Sequence, residues 1–105
     1  MNINAPWRRG SGSGADVSTT TAVVAAITDS TLGIKKIMIS NLAAANITIE
    51  DSTGADLIIF YLPARGGVVV EFDPGEFRLA ATGRGINILS STADAVSYEI
   101  SAWVE

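Results

Sequence analysis

Apolar and polar residues alternate through most of residues 96–104, VSYEISAWV. Successive side chains of a β-strand point to opposite faces of a sheet, so the even-numbered residues from Val96 to Val104 would share one face. The odd-numbered face is polar except for Trp103. This stretch therefore predicts a half-buried strand with one large aromatic ring on its polar side.

Seven further extended segments precede it, separated by turn residues at the spacing of a sandwich or barrel. They cover residues 17–27, 34–41, 45–51, 57–62, 68–72, 77–79 and 86–90. A helix over residues 22–26 is the alternative for the weakly patterned first segment. Composition favours sheet, because 29 of the 105 residues are Ile, Val or Thr and only six are Leu. We predict an all-β fold, an antiparallel β-sandwich, jelly-roll-like, with seven or eight short strands.

Residues 1–14, MNINAPWRRGSGSG, differ in kind from the rest and predict a flexible N-terminal arm ahead of a sandwich domain over residues 15–105. One interpretation is a frayed chain end. The other is a partner-binding arm, because Trp7 offers a large apolar ring beside the guanidinium groups of Arg8 and Arg9.

The composition restricts the chemistry that the chain can perform. With no histidine and no cysteine, it has neither the usual general base nor a thiol nucleophile or soft metal ligand. A net charge of -4 without a basic block argues against nucleic-acid binding. The apolar runs are too short for a membrane helix, and the start lacks the order of a secretion signal. We expect a soluble, unprocessed, non-enzymatic chain with no catalytic, cofactor or metal site.

Two groups of carboxylates are candidate sites. The segment from Glu50 to Asp56 suggests a calcium loop, but its spacing misses that of an EF-hand, and a hairpin turn capped by Asp51 explains the same residues. Paired carboxylates of a glycosidase are the second idea. They usually line a wide cleft rich in aromatic rings, and the chain has seven aromatic residues in all. The candidate pairs are Glu71 with Asp73 and Glu76 with Glu99.

The strand predicted over residues 57–62 is apolar on both faces. A two-layer sandwich buries only one face of a strand internally, so the set Leu57, Ile59 and Tyr61 needs another cover. Exposed apolar patches of this kind mark subunit interfaces. We predict that these three residues and Trp103 form an oligomer interface, the alternative being that loops or the first strand cover them.

The order of turns resembles that of small β-sandwich virion proteins of tailed bacteriophages, most of all capsid decoration, or cement, proteins. The resemblance covers residues 33–105. It rests on these stretches: Ile37-x-Ile39-Ser40-Asn41, Ile47-Thr48-Ile49 with the hairpin Asp51-Ser52-Thr53-Gly54, Leu62-Pro63-Ala64-x-Gly66-Gly67, Phe72-Asp73-Pro74, and Gly85-Ile86-Asn87-Ile88-Leu89-Ser90-Ser91.

The resemblance implies a homotrimer on the outer capsid surface, made in the cytoplasm of a host bacterium. Its partners would be itself and the major capsid protein or another virion protein, with no nucleic acid, membrane or cofactor. The alternative is a carbohydrate- or receptor-binding module of a phage tail or fibre. A small carboxylate-dependent hydrolase is a third class.

Overall fold

Eight strands form two four-stranded antiparallel sheets in the computed structural model, which describes residues 7–105. Short polar turns separate most of the strands, and each strand carries apolar residues on at least one face. The strands are β1 (Trp7–Ala15), β2 (Thr21–Val24), β3 (Leu32–Asn41), β4 (Ala45–Asp51), β5 (Asp56–Leu62), β6 (Gly67–Glu71), β7 (Ile86–Ser90) and β8 (Val96–Val104).

The strand order identifies the sandwich as a jelly roll. Sheet A has the order β1-β8-β3-β6, and sheet B has the order β2-β7-β4-β5. The first strand therefore pairs with the last, the second with the seventh, the third with the sixth and the fourth with the fifth. These four antiparallel pairs form one long two-stranded ribbon, and folding that ribbon into two sheets gives the observed strand order. The jelly roll that results contains two Greek keys. The predicted antiparallel, jelly-roll-like β-sandwich of seven or eight strands is confirmed.

Aliphatic side chains from the inner faces of both sheets make the core. In β8, Val96, Ile100 and Ala102 are buried, as the alternation of that strand predicts. Burying one such aliphatic side chain contributes about 1.5–3 kcal/mol, so these layers supply most of the driving force for folding. The largest fully buried apolar side chains are Val17, Leu32, Ile34, Ile37, Ile47, Ile49, Ile86, Ile88, Val96 and Ile100.

The N-terminal segment is a strand over its described part. Residues 7–15 form β1, which pairs antiparallel with β8 from Trp7 opposite Trp103 to Ala15 opposite Val96. The predicted unpaired arm is therefore wrong for residues 7–14, and the predicted boundary after residue 14 falls inside this strand. The same prediction for residues 1–6 lies outside the described residues.

Two glycines explain why a Gly-Ser stretch forms a strand here. A Cβ at Gly12 would lie 2.6 Å from the Tyr98 ring, and one at Gly10 would overlap the carbonyl of Val23. The glycines thus permit close approach between β1 and its neighbours, a known role of glycine in strands. The glycines that resemble those of a flexible tether are therefore required here for close packing of β1.

Other boundaries differ from the predicted ones. The segment predicted over residues 17–27 contributes only the four-residue β2, which is irregular in its pairing with β7 and not helical. Residues 77–79 make one isolated bridge, Gly33 with Arg78, instead of a strand. Both segments contribute a buried residue, Val17 and Leu79, without forming a long ladder.

A bulge in β3 resolves the placement of two adjacent lysines. Ile34 pairs with Ala102 and Lys36 with Ser101, so Lys35 is an extra residue in the ladder. Such a bulge interrupts the strict alternation of side chains. Lys36 lies near Glu71 on β6, with 3.7 Å between Nζ and Oε1, and Lys35 reaches aromatic rings near the strand end.

Candidate interaction surfaces

The predicted two-faced strand is β5, an edge strand of sheet B. Ile58, Phe60 and Leu62 pack against the core, whereas Ile59 is 40% exposed and Tyr61 is 73% exposed. No loop of the described chain covers these last two side chains. Leu57 differs, because the register with β4 shifts beside it and its side chain packs against the core.

Trp103 lies on a different surface from the other three predicted interface residues. It stands on the outer face of sheet A, is partly buried, and its indole N–H donates to the carbonyl of Phe72 at 3.4 Å. The outer faces of the two sheets point to opposite sides of the sandwich. Trp103 therefore cannot share one continuous patch with Ile59 and Tyr61.

Trp103 instead meets the first described residue of the chain. Trp7 is its register partner, and the ammonium of Lys35 lies 5.3 Å from the Trp7 ring centroid and 5.2 Å from that of Trp103. A cation over an aromatic face is attracted by the ring quadrupole. This Trp-Lys-Trp cluster ties the start of β1 to β8 and β3, and Trp7 remains 47% exposed.

The arginines of the predicted arm lie along the exposed edge of sheet A. Arg8 and Arg9 are exposed and occupy register positions opposite Ala102 and Ser101. The Arg8 guanidinium donates to the carbonyl of Trp7 at 3.1 Å. Their side chains are thus available to a partner next to the half-exposed Trp7 ring.

A shallow groove of about 530 Å³ lies on the outer face of sheet A, toward the end opposite the Trp-Lys-Trp cluster. Met38 and Val69, at 37% and 60% exposure, supply its apolar surface. The sequence analysis missed this groove, because only strand pairing places Val69 beside Met38. Further lining residues include Ser13, Ser40, Gly67, Ser97 and Glu99.

Asp51 is the most buried carboxylate of the described chain, and it closes the turn between β4 and β5. Its Oδ1 accepts hydrogen bonds from the Thr53 hydroxyl at 2.5 Å and from the main-chain N–H groups of Thr53 at 2.8 Å and Ala55 at 3.2 Å. Its Oδ2 accepts from Arg84 at 2.9 Å. The predicted cap of this turn is confirmed, whereas sequence reasoning missed Arg84.

These bonds stabilise the ionised form of the side chain. The Thr53 hydroxyl has the largest effect, and with the main-chain donors and Arg84 it lowers the pKa of Asp51 from 3.8 to about 2 despite its burial. Both oxygens are occupied by protein donors, which is the arrangement of a structural turn. Between Trp7 and Glu105, no three acidic side chains gather as a metal-binding group.

The two carboxylate pairs considered from the sequence have separate partners. Glu71 on β6 lies near Lys36 on the neighbouring strand β3. Glu76 accepts a hydrogen bond from the main-chain N–H of Asp73 at 2.9 Å within the turn that follows β6. Glu99 lies in the middle of β8, opposite Met38.

Comparison of the chain with protein-family models, with curated proteins and with solved structures finds no significant match. Across residues 7–105, the structure contains no helix of the length and apolarity that crossing a bilayer requires.

Proposed function

We propose that the chain is a non-enzymatic structural protein of a tailed-phage virion, which decorates and stabilises the capsid surface as a homo-oligomer. The observation that carries the proposal is apolar surface on both outer faces of one small sandwich. Met38 and Val69 lie on sheet A, and Ile59 and Tyr61 lie on sheet B. Exposed apolar patches on soluble domains serve interactions.

Two opposite apolar faces suit a protein that binds its own copies with one face and a larger assembly with the other. Jelly rolls are common in viral capsid domains, so the architecture supports the proposal by analogy. Trp7, Arg8 and Arg9 add an edge with an aromatic anchor and two guanidinium groups that can pair with carboxylates of a capsid protein. The protein would be made in the cytoplasm of the host bacterium and end on the capsid surface.

Co-sedimentation with DNA-free heads of the encoding phage tests this role. The chain should pellet with the heads and raise their melting temperature. Val69→Lys and Tyr61→Lys form a matched pair, each placing a charge on one outer face. We expect one of them to abolish binding to heads and the other to affect self-association. Heads that neither retain the chain nor gain thermal stability would contradict the proposal.

The groove of sheet A favours a second candidate function, a carbohydrate- or receptor-binding module of a phage tail or fibre. Lectin domains also use the jelly roll, and the groove combines an apolar wall with Ser40, Ser97 and Glu99 as polar groups. A glycan array decides between the two. Specific saccharide retention that Val69→Lys abolishes, together with no binding to heads, would favour the module.

A further inference from the structure

The open edge of sheet B has main-chain groups free for a partner strand. In β4, the Asn46 carbonyl accepts from the N–H of Ser91 at 3.0 Å, on the β7 side. The main-chain N–H and C=O groups of successive strand residues point to opposite sides of the strand. Those of Ile47 therefore point toward β5 and bond with the main chain of its register partner, Phe60. The two neighbours of Phe60 therefore direct their N–H and C=O groups away from β4, toward the open edge.

Those neighbours are Ile59 and Tyr61, the same residues whose side chains are exposed. No main-chain hydrogen bond from a turn or loop of the described chain reaches either of them. β5 thus offers unpaired main-chain donors and acceptors and uncovered apolar side chains at one place. This combination is what strand addition to a sheet edge uses.

The other three sheet edges are less suited to pairing. β2 has four residues and an irregular register, and β6 has five and ends in Glu71. β1 carries Arg8 and Arg9 and has a register shift after Gly12. By contrast, residues 57–62 are six consecutive apolar residues without charge or proline. Charged residues, proline and bulges usually protect a sheet edge against pairing with another chain. This segment has neither a charged residue nor a proline.

We propose that β5 pairs antiparallel with β5 of a second copy across a two-fold axis, joining two B sheets into one eight-stranded sheet. The inference rests on the proposed self-association but not on the capsid role. Placing Ile59 opposite Ile59 of the second copy aligns the outward main-chain groups of both strands. The same register sets Tyr61 opposite Leu57 of the second copy, but that Leu57 side chain packs against its own core. The contact between exposed apolar side chains is therefore made by Ile59 with Ile59.

The contact is modest in area and so reversible. At 73% exposure, Tyr61 leaves on the order of 150 Å² in water, and Ile59 adds less. Interfaces below about 1,200 Å² are typical of weak, transient association. We therefore expect a dimer that forms at about micromolar concentration or above, instead of the homotrimer that the family resemblance implies. A contact of this symmetry closes at two copies.

Sedimentation equilibrium over a range of concentrations, with variants at the central position, tests the pairing. Ile59→Pro removes the outward N–H in both copies and should weaken dimerisation about tenfold or more, while β5 keeps its bonds to β4. Ile59→Thr keeps that N–H and serves as the control, with dimerisation close to the parent chain. If the proline variant fails to fold, Ile59→Lys replaces it, because it sets two like charges opposite each other.

Cysteine crosslinking tests the register, since the chain has no cysteine of its own. In the proposed pairing, the Cα atoms at position 59 lie about 5.5 Å apart. Those at position 61 lie about 14 Å apart, because they are offset by four residues. A short bis-maleimide should therefore crosslink Ile59→Cys much faster than Tyr61→Cys.

The inference would be overturned by a trimer or by equal crosslinking at the two positions. It would also be overturned by a chain that stays monomeric up to about millimolar concentration, at which even weak contacts form. A folded Ile59→Pro variant that dimerises like the parent would also overturn it. The capsid role is tested separately. Dimerisation without binding to heads would refute that role alone, and binding to heads by a chain that does not dimerise would refute the β5 pairing alone.

Discussion

Replacing Asp51 with alanine should destabilise the fold through the turn between β4 and β5. The change removes the acceptor of four hydrogen bonds and the charged partner of Arg84. Thr53 and Ala55 are exposed, so water partly replaces the lost acceptor for their donors. The ion pair with Arg84 is only partly reached by solvent, since the Arg84 side chain is 30% exposed and that of Asp51 is 2% exposed. At about 0.5–1 kcal/mol each, because water partly replaces the acceptor, the four bonds give a loss of about 2–4 kcal/mol.

The pH dependence provides a second, independent measure of the same group. The pKa of Asp51 is about 2 in the folded chain and has its ordinary value of 3.8 when unfolded. A carboxyl with a lowered folded pKa stabilises the fold above its unfolded pKa, and this contribution disappears as the pH falls toward the folded pKa. The difference between the parent and Asp51→Ala should therefore be constant near pH 7 and shrink between about pH 4 and pH 2.

Urea denaturation at several pH values measures both effects. Asp56→Ala is the matched control, because Asp56 is an exposed acid at the start of β5, next to the same turn. It should change the unfolding free energy by less than about 0.5 kcal/mol. A loss at Asp51 no larger than that of the control would refute the reasoning. So would a difference that persists unchanged at pH 2.

Four further results are expected. Deleting residues 1–14 should lower the melting temperature in a thermal scan, because β1 pairs with β8, and an unchanged value would restore the interpretation as a separable arm. Trp7→Ala should weaken binding to phage heads by about 2 kcal/mol in a titration if the ring is an anchor. Lys35→Gln should cost about 1 kcal/mol of unfolding free energy through the lost contacts with two indole rings, more than Lys36→Gln at a surface ion pair. Ile37→Ala should cost about 3 kcal/mol in urea denaturation, because a cavity replaces a fully buried side chain.

Local sequence patterns predicted the features that depend on neighbours along the chain. The alternation in residues 96–104 gives the inner face of β8, because a strand repeats every two residues whatever lies across from it. The same reasoning found the exposed side of β5. Asp51 was assigned to its turn because an Asx side chain bonds main-chain groups two residues ahead.

Only the tertiary structure decided which strands meet and which edges stay open. The Gly-Ser composition of residues 10–14 is equally compatible with a flexible tether and with a strand. The strand forms because Gly10 and Gly12 leave room for close contacts with Val23 and Tyr98, which are distant in sequence. Lys35 reaches two indole rings through a bulge that periodicity does not reveal. Arg84 reaches Asp51 from 33 residues away. A local period fixes the faces of a strand, whereas its partners depend on how all eight strands fold together, and that information is spread over the whole chain.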